Sequence, residues 1–178
     1  MNSFSKIKFW YVILVIGMIT ILLVNTLNKT ESFEEKLEKA RGTVSLQMYE
    51  SIERWSDSLK VPKYIAYNVA YLETGYKGPF HYNYKPYQIS TAGAVGPMQI
   101  IPAFAWVYTD RKITSRDLMY DIDLNVEISM KMLAVWYKMF GKWDVACGAY
   151  NSGQPIRNDY AIYASSNKDY KNKWVNLK

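Results

Sequence analysis

An uncharged apolar run near the N-terminus sets the first limit on how this chain folds. Phe9 to Val24 reads FWYVILVIGMITILLV and follows Lys6 and Lys8. A helix needs roughly 20 apolar residues to span a bilayer, and the run reaches that length with its flank to Leu27. No small-residue cleavage site follows the run, so we predict an uncleaved anchor rather than a signal peptide.

The charges on either side of this run predict its orientation. Two lysines precede it and a mixed, partly acidic stretch follows, so the positive-inside bias places the N-terminus in the cytoplasm. We expect residues 1–8 to be cytoplasmic, 9–27 to span the inner membrane, 28–42 to form a tether and 43–178 to form one folded domain. In a bacterial cell that domain lies in the periplasm or the wall.

Apolar residues recur at helical spacing through most of the presumed domain. Pro62 suits the first turn of a helix, and Gly75 suits a C-terminal cap. A later run alternates like a strand at first but continues far beyond strand length, so we interpret it as a buried helix. The predicted elements are helices over 43–59, 62–75, 123–140 and 143–150, with a long loop and room for short strands over 76–97.

The composition excludes several kinds of chemistry. Cys147 is the only cysteine and His81 the only histidine, so an intrachain disulfide is impossible and a His/Cys zinc site lacks ligands. We expect no metal and no cofactor. The net charge of +6 favours an anionic partner such as a membrane surface or the cell-wall polymer. The lysines are dispersed, which argues against nucleic acid.

Glu73 is the strongest candidate for a catalytic group. On its predicted helix it shares the apolar face with Ala66, Val69 and Ala70. It also lies in the last turn, where the helix dipole is negative, so burial and the dipole should both raise its pKa. A protonated carboxyl near neutral pH is what cleavage of a glycosidic bond requires. From position alone, a solvent-facing glutamate at a helix end remains an alternative.

Three short segments place Glu73 in a known pattern. They read ETGY at 73–76, STAGAVGPMQ at 90–99 and AYNSG at 149–153. In this order they resemble the signature of the soluble-lytic-transglycosylase (SLT) domain, whose fold is related to goose-type lysozyme and whose pattern reads ESGF, SxxGAxGLMQ and AYNAG. The resemblance covers about residues 60–155. A further helix-opening pattern of that family is similar to Leu118, Asp121, Asn125 and Val126.

The resemblance implies a mainly α, lysozyme-like domain with a catalytic cleft, and an activity on peptidoglycan. Glu73 would protonate the oxygen that links N-acetylmuramic acid to N-acetylglucosamine. It would then take the proton of the C6 hydroxyl of the same muramic acid as that hydroxyl attacks C1. The product is a 1,6-anhydro sugar, formed without water. Such an intramolecular attack has a high effective molarity.

The resemblance also implies a set of substrate contacts. Met98 and Gln99 would line the cleft beside Glu73. Tyr150 and Asn151 would come from the opposite wall, with the tyrosine hydroxyl bonded to the acid or to the substrate. Glycines in the middle motif would let the backbone approach closely. The predicted substrate-binding residues are Ser90, Gly93, Met98, Gln99, Tyr150 and Asn151.

The sequence departs from the family pattern at several positions. Thr74 and Tyr76 are mild replacements for Ser and Phe. Pro97 stands where Leu is usual and removes a backbone donor near the cleft. Ser129 occupies a position that is usually Gly. The stretch 79–87 is longer and more aromatic than the pattern predicts, which suggests a cleft wall or a contact with a partner.

Three other functions remain open from sequence. A muramidase would hydrolyse the same bond with water and needs a second carboxylate. A non-catalytic wall-binding component of an envelope machine would not need Glu73. A cysteine peptidase would use Cys147, His81 and Asn151. The candidate second carboxylates are Asp110, Asp117, Asp121 and Asp123.

The biological setting is also open from sequence. An anchored enzyme of this kind could serve wall turnover, a secretion or conjugation machine, or a bacteriophage. The tail from Gln154 to Lys178 carries Tyr160, Tyr163, Tyr170 and Trp174. We interpret it either as the far side of the cleft or as a docking segment.

Overall fold

The computed structural model describes residues 14–20 and 31–175. Residues 1–36 and 37–178 form two compact units. In the first unit, residues 14–20 form a helix, α1. Within the described ranges, no helix combines the length and the hydropathy that crossing a membrane requires. Most of the predicted anchor, residues 9–27, lies outside the described residues, so the anchor remains a prediction.

The regular secondary structure in the rest of the described chain is helical, apart from two isolated antiparallel bridges. The bridges join Ile89 to Val95 and Val95 to Ile100, so the chain reverses direction twice at the end of the predicted long loop and just beyond it. The further elements are α2 (Phe33–Lys39), α3 (Val44–Leu59), α4 (Lys63–Thr74), α5 (Pro102–Ala105), a 3-10 turn (Trp106–Tyr108), α6 (Ser115–Tyr120), α7 (Ile122–Phe140), α8 (Trp143–Ser152), α9 (Asp159–Ser166) and α10 (Asn172–Val175).

Local capping signals fix the ends of the predicted helices. The Thr43 hydroxyl accepts a hydrogen bond from the backbone N–H of Leu46 at the start of α3. Gly75 ends α4 in the left-handed conformation, with φ of 71°. The Asp121 carboxylate caps α7. The four predicted helices are confirmed, and α8 continues to Ser152, two residues beyond the prediction.

Helix α7 is the centre of the hydrophobic core. Residues 124–130 are buried without interruption, and the helix packs against α3 on one side and α8 on another. A helix that is buried on several sides is apolar around most of its circumference. This explains why its sequence alternates like a strand at first and then becomes almost continuously apolar.

The C-terminal tail packs on the folded domain. Trp174 of α10 makes edge-on ring contacts with Tyr49, Tyr67 and Tyr170. Gly78 lies directly under this indole, because a Cβ there would come within 2.2 Å of Trp174 Cδ1. Aromatic clusters of this kind bury large areas and favour edge-on geometries. Trp174 is therefore part of the hydrophobic core.

The segment that leads into α9 passes very close to α8. A Cβ on Gly148 would lie 1.7 Å from the carbonyl oxygen of Ile156, so only glycine fits at this position. Helix α9 also packs against α4. The Asn68 amide of α4 donates to the carbonyl oxygens of Ala164 and Asn167 at 3.1 and 2.6 Å. Helix α9 is thereby held beside the end of α4 that carries Glu73.

Candidate active site

Glu73 lies in the last turn of α4 and is largely removed from solvent. The hydroxyl of Tyr160 in α9 donates a hydrogen bond of 2.5 Å to its Oε1 atom. Burial raises the pKa of Glu73 to about 7, against the smaller opposing effect of the Tyr160 hydrogen bond. The carboxyl is therefore protonated in a substantial fraction of molecules near neutral pH.

The side chain of Glu73 lines a cleft of about 570 Å³. One wall is the bridged segment over residues 90–101, and another is α5 with its 3-10 turn. Met132 and Trp136 of α7 line it as well, and the end of α8 with the following glycine closes it. Among the described residues that line the cleft, Glu73 is the only carboxylate. The lining is otherwise a mixture of apolar, hydroxyl and amide groups, as in many sites for small ligands.

The buried Asn125 amide holds the loop that forms the cleft wall. Its Nδ2 donates to the carbonyl oxygens of Val95 and Leu118 at 3.0 and 2.8 Å, and its Oδ1 accepts from the N–H of Met98 at 2.9 Å. Gly96 sits against this amide, with φ of 79° and no space for a Cβ. The amide thus gives the buried N–H of Met98 an acceptor and joins the backbone of the loop to that of α6, while the Val95 carbonyl also accepts from the N–H of Ile100.

Thr74 ties the same loop to the helix that carries Glu73. Its hydroxyl donates to the carbonyl oxygen of Pro97 at 2.7 Å and lies 2.7 Å from the Tyr84 hydroxyl. Since the threonine proton is used by Pro97, Tyr84 is the donor to Thr74. Pro97 gives up its own N–H at this position but keeps the carbonyl that the threonine needs.

The predicted substrate-binding residues occupy two kinds of position. Ser90, Gln99, Tyr150 and Asn151 line the cleft. Met98 is fully buried, and it faces the site through its carbonyl group, which accepts the Tyr150 hydroxyl proton at 2.6 Å. Gly93 is exposed in the turn that follows Ser90 and is not part of the lining. Their role in binding substrate remains a prediction.

Tyr160, not Tyr150, is the tyrosine bonded to the acid. The Tyr150 hydroxyl donates to Met98 and accepts from the Ser129 hydroxyl at 3.0 Å, so its proton is already used. Ser129, which stands where the family pattern has glycine, supplies this extra bond. The family pattern did not single out Tyr160. The only feature of the sequence that pointed to this residue was the high tyrosine content of the C-terminal tail.

Two cleft side chains are held by neighbouring polar groups. Gln99 has a left-handed backbone, with φ of 51°, which is uncommon for a residue with a side chain. Its Nε2 donates to the carbonyl oxygens of Gly96 and Gln88 at 2.9 and 3.2 Å. The Oδ1 atom of Asn151 accepts from the Nδ2 of Asn158 at 3.1 Å.

The four aspartates that were candidates for a second catalytic carboxylate lie outside the lining of the cleft, and three of them have hydrogen-bond partners elsewhere. Asp117 forms a capping box with Thr114, and Asp121 caps α7. Asp123 accepts hydrogen bonds from Arg54 and Trp55, while Asp110 lines a separate groove. None of them lines the cleft with Glu73. A hydrolase that acts on the same bond uses a second carboxyl beside the acid, and the choice between the two reactions is left to the products that the enzyme forms.

Cys147 has the wrong environment for a nucleophile. It is fully buried in α8, and burial raises the pKa of its thiol to about 12. Reactive cysteines have lowered pKa values and accessible thiolates. In the part of the chain that the structure describes, no group of three His, Cys, Asp or Glu side chains could hold a metal ion.

Comparison with known proteins places this site in a family. The model of the family described as "Transglycosylase SLT domain" matches residues 50–173. The predicted resemblance is thereby confirmed, together with the enzyme class that the family's name gives. Comparison with curated proteins gives no match.

Two solved structures share the fold at low sequence identity. One is the 70-kDa soluble lytic transglycosylase in complex with bulgecin A, with a TM-score of 0.54 and 18% identity over 79% of this chain and 25% of that one. The other is the 70-kDa soluble lytic transglycosylase from Escherichia coli, with a TM-score of 0.51 and 17% identity over 84% of this chain and 30% of that one. The present chain thus spans less than a third of their length. The predicted mainly helical, lysozyme-like fold is confirmed.

Proposed function

The chain belongs to the transglycosylase SLT domain family, and on that premise we propose that it is a peptidoglycan lytic transglycosylase with Glu73 as its general acid and base. The observation that carries the proposal is the state of the Glu73 carboxyl. It is the only carboxylate among the described cleft-lining residues, and its pKa is raised to about 7 by burial. Such a group can donate a proton at neutral pH and accept one later.

The proposed reaction consumes no water, because the attacking hydroxyl and the carbon that it attacks belong to the same sugar. Protonated Glu73 gives its proton to the glycosidic oxygen as the bond from C1 of N-acetylmuramic acid to that oxygen breaks. The resulting carboxylate then takes the proton of the C6 hydroxyl, and the C6 oxygen forms a bond to C1. The products are a 1,6-anhydro-muramic end and a free hydroxyl on N-acetylglucosamine, and Glu73 is protonated again. One carboxyl is sufficient because the nucleophile belongs to the substrate.

Mass spectrometry of digested peptidoglycan tests this reaction. The full chain, solubilised in detergent, is compared with Glu73→Gln. Fragments with 1,6-anhydro-muramic ends from the first protein and none from the second are expected. Reducing ends would indicate a hydrolase and overturn the transglycosylase assignment. Equal cleavage by both proteins would overturn the role of Glu73, and binding without cleavage by either would favour a non-catalytic wall-binding role.

We also propose that residues 9–27 anchor the protein in the inner membrane with the catalytic domain outside the cytoplasm. The support is the apolar run and the lysines that precede it. Carbonate-washed membranes should retain the protein, and protease added to spheroplasts should digest the domain. Release by carbonate, or protection from the protease, would contradict this placement.

A further inference from the structure

One tryptophan of the catalytic cleft has a hydrogen-bond donor that the described protein groups do not use. Trp136 of α7 is half-buried and lines the same cleft as Glu73. Its Nε1 atom is shielded from solvent and has no hydrogen-bond partner among the described residues. The indole N–H can only donate, and native proteins leave few buried donors unpaired because each one costs free energy. An unpaired donor in a binding cleft therefore points to an acceptor on a ligand.

The orientation of this indole is set within α7. The ring of Phe140, one helical turn further along, stacks on Trp136 with centroids 5.8 Å apart and planes at 10°. Phe140 does not line the cleft, whereas Met132, one turn before Trp136, does. The indole is thus supported by an aromatic ring outside the cleft and lies beside a flexible, unbranched side chain within it.

Apolar side chains and amides complete the cleft around this donor. Phe104 and Val107 line it and are nevertheless 57% and 58% exposed, so a large part of their apolar surface is open to a ligand. The amide side chains of Asn151 and Gln154 also belong to the lining. The cleft therefore offers an unpaired N–H donor, open apolar surface and amide groups to one ligand.

This combination matches the acetamido group of an amino sugar. An acetamido group joins a carbonyl acceptor to an apolar methyl group and an N–H donor, and both sugars of peptidoglycan carry one at C2. We propose that Trp136 is a specificity-determining residue that recognises an acetamido group of the glycan. Its Nε1–H donates to the acetamido carbonyl oxygen, and the methyl group packs on apolar side chains of the lining. The proposal rests on the proposed function, since it takes the same glycan as its ligand.

The recognition requires a small local rearrangement, because Nε1 is shielded in the unbound protein. Cleft side chains must move aside as the carbonyl oxygen arrives. Met132 is flexible, and Phe104 and Val107 are mostly exposed, so their rotation disturbs little packing. A ligand without the acetamido group gains no hydrogen bond to offset this rearrangement.

Nuclear magnetic resonance of the indole N–H tests the contact directly. The full chain with Glu73→Gln, labelled with ¹⁵N at tryptophan and kept in detergent, is titrated with an N-acetyl chito-oligosaccharide. A cello-oligosaccharide of equal length is the control ligand, since it is also β-1,4-linked and neutral but has a hydroxyl in place of each acetamido group. The resonance that Trp136→Phe removes identifies Trp136 among the six tryptophans. Its proton should move downfield with the first ligand only, because it gains an acceptor.

Calorimetry on the same Glu73→Gln background measures the contribution of the N–H to affinity. Trp136→Phe keeps an aromatic ring but has no N–H, so it should bind the chito-oligosaccharide about tenfold more weakly. Trp143→Phe is the matched control, because Trp143 is also half-buried and stacked on a neighbouring ring but lies outside the cleft lining. It should retain the original affinity. Thermal unfolding of both variants identifies any loss of folding.

The outcomes separate this inference from the catalytic proposal. A Trp136 resonance that is unmoved at saturation with the chito-oligosaccharide, or that moves equally with both ligands, would overturn it, and this measurement uses a chain in which Trp136 is intact. Equal affinities of Trp136→Phe and Trp143→Phe would also overturn it. Anhydro products from the unmodified chain without such binding would refute this inference alone. Binding that depends on Trp136, without anhydro products, would refute the proposed function alone.

Discussion

The hydroxyl of Tyr160 donates a hydrogen bond of 2.5 Å to Oε1 of Glu73, across a separation of 87 residues. By itself this bond favours the ionised carboxylate and lowers the pKa of Glu73. Burial acts in the opposite direction and is the larger effect, so the pKa rises to about 7. The Tyr160 hydroxyl thus orients the Glu73 carboxyl, and burial favours its protonated form.

The raised pKa of Glu73 predicts how the rate depends on pH. Cleavage starts from the protonated acid, so kcat/KM on soluble glycan fragments should be level below neutrality. Above about pH 7 it should fall by roughly tenfold for each pH unit. Initial rates at pH values below and above 7 measure this dependence of kcat/KM. Substrate binding at the same pH values is the control. A rate that stays level up to about pH 9 would show that Glu73 does not titrate as the acid.

The same shift predicts a gain in stability for Glu73→Gln at high pH. The folded-state pKa of about 7 exceeds the ordinary 4.5, so between these values the folded protein binds more protons and its unfolding free energy falls as pH rises. Over the whole interval from pH 4.5 to about pH 7, the unfolding free energy falls by roughly 3 kcal/mol. The glutamine variant should therefore unfold at a higher temperature than the unmodified protein near pH 8 and at a similar one near pH 4.

Thermal unfolding by circular dichroism at the two pH values measures this difference. Glu50→Gln is the control, because Glu50 is exposed and lies outside the cleft. A glutamine variant of Glu73 that is less stable than the unmodified protein at both pH values would mean that the carboxylate is better solvated than the structure indicates.

Removal of the Tyr160 hydroxyl should change both the rate and the pH profile. Tyr160→Phe deletes the one hydrogen bond that lowers the pKa of Glu73. The basic limb of kcat/KM should move to higher pH, and the maximal rate should fall roughly tenfold because the carboxyl loses its orientation. Tyr163→Phe, on the same helix, should retain the original profile. A lower rate with an unmoved limb would assign Tyr160 a purely structural role.

Truncation of Asn125 should destabilise the protein and loosen the cleft wall. Asn125→Ala leaves the N–H of Met98 without its buried acceptor and removes the hydrogen bonds that the amide gives to the carbonyl groups of Val95 and Leu118. We expect a loss of about 3 kcal/mol, which corresponds to a fall of roughly 10 °C in Tm. Asn83→Ala, at an exposed position of the long loop, should leave Tm unchanged. A similar Tm for both variants would contradict the clamping role.

The sequence by itself determined the four helices that were predicted and the family, and it singled out Glu73 as the proposed acid. Thr43 and Gly75 give helix boundaries through bonds to residues a few positions away, and such local signals are readable in one dimension. Glu73 could be identified because its motif is contiguous and its place at a helix end predicts a raised pKa. The family resemblance rested on three such contiguous segments.

Only the tertiary structure decided which groups surround the acid. Tyr160 reaches Glu73 because Gly148 lets the segment that leads into α9 pass close to α8, and a contact across most of a domain leaves no periodic signal in the sequence. The same holds for the Tyr150 proton, which goes to Met98 rather than to Glu73. Spacing along a chain specifies helix faces and caps, whereas the partners of a buried hydroxyl depend on how separate helices pack.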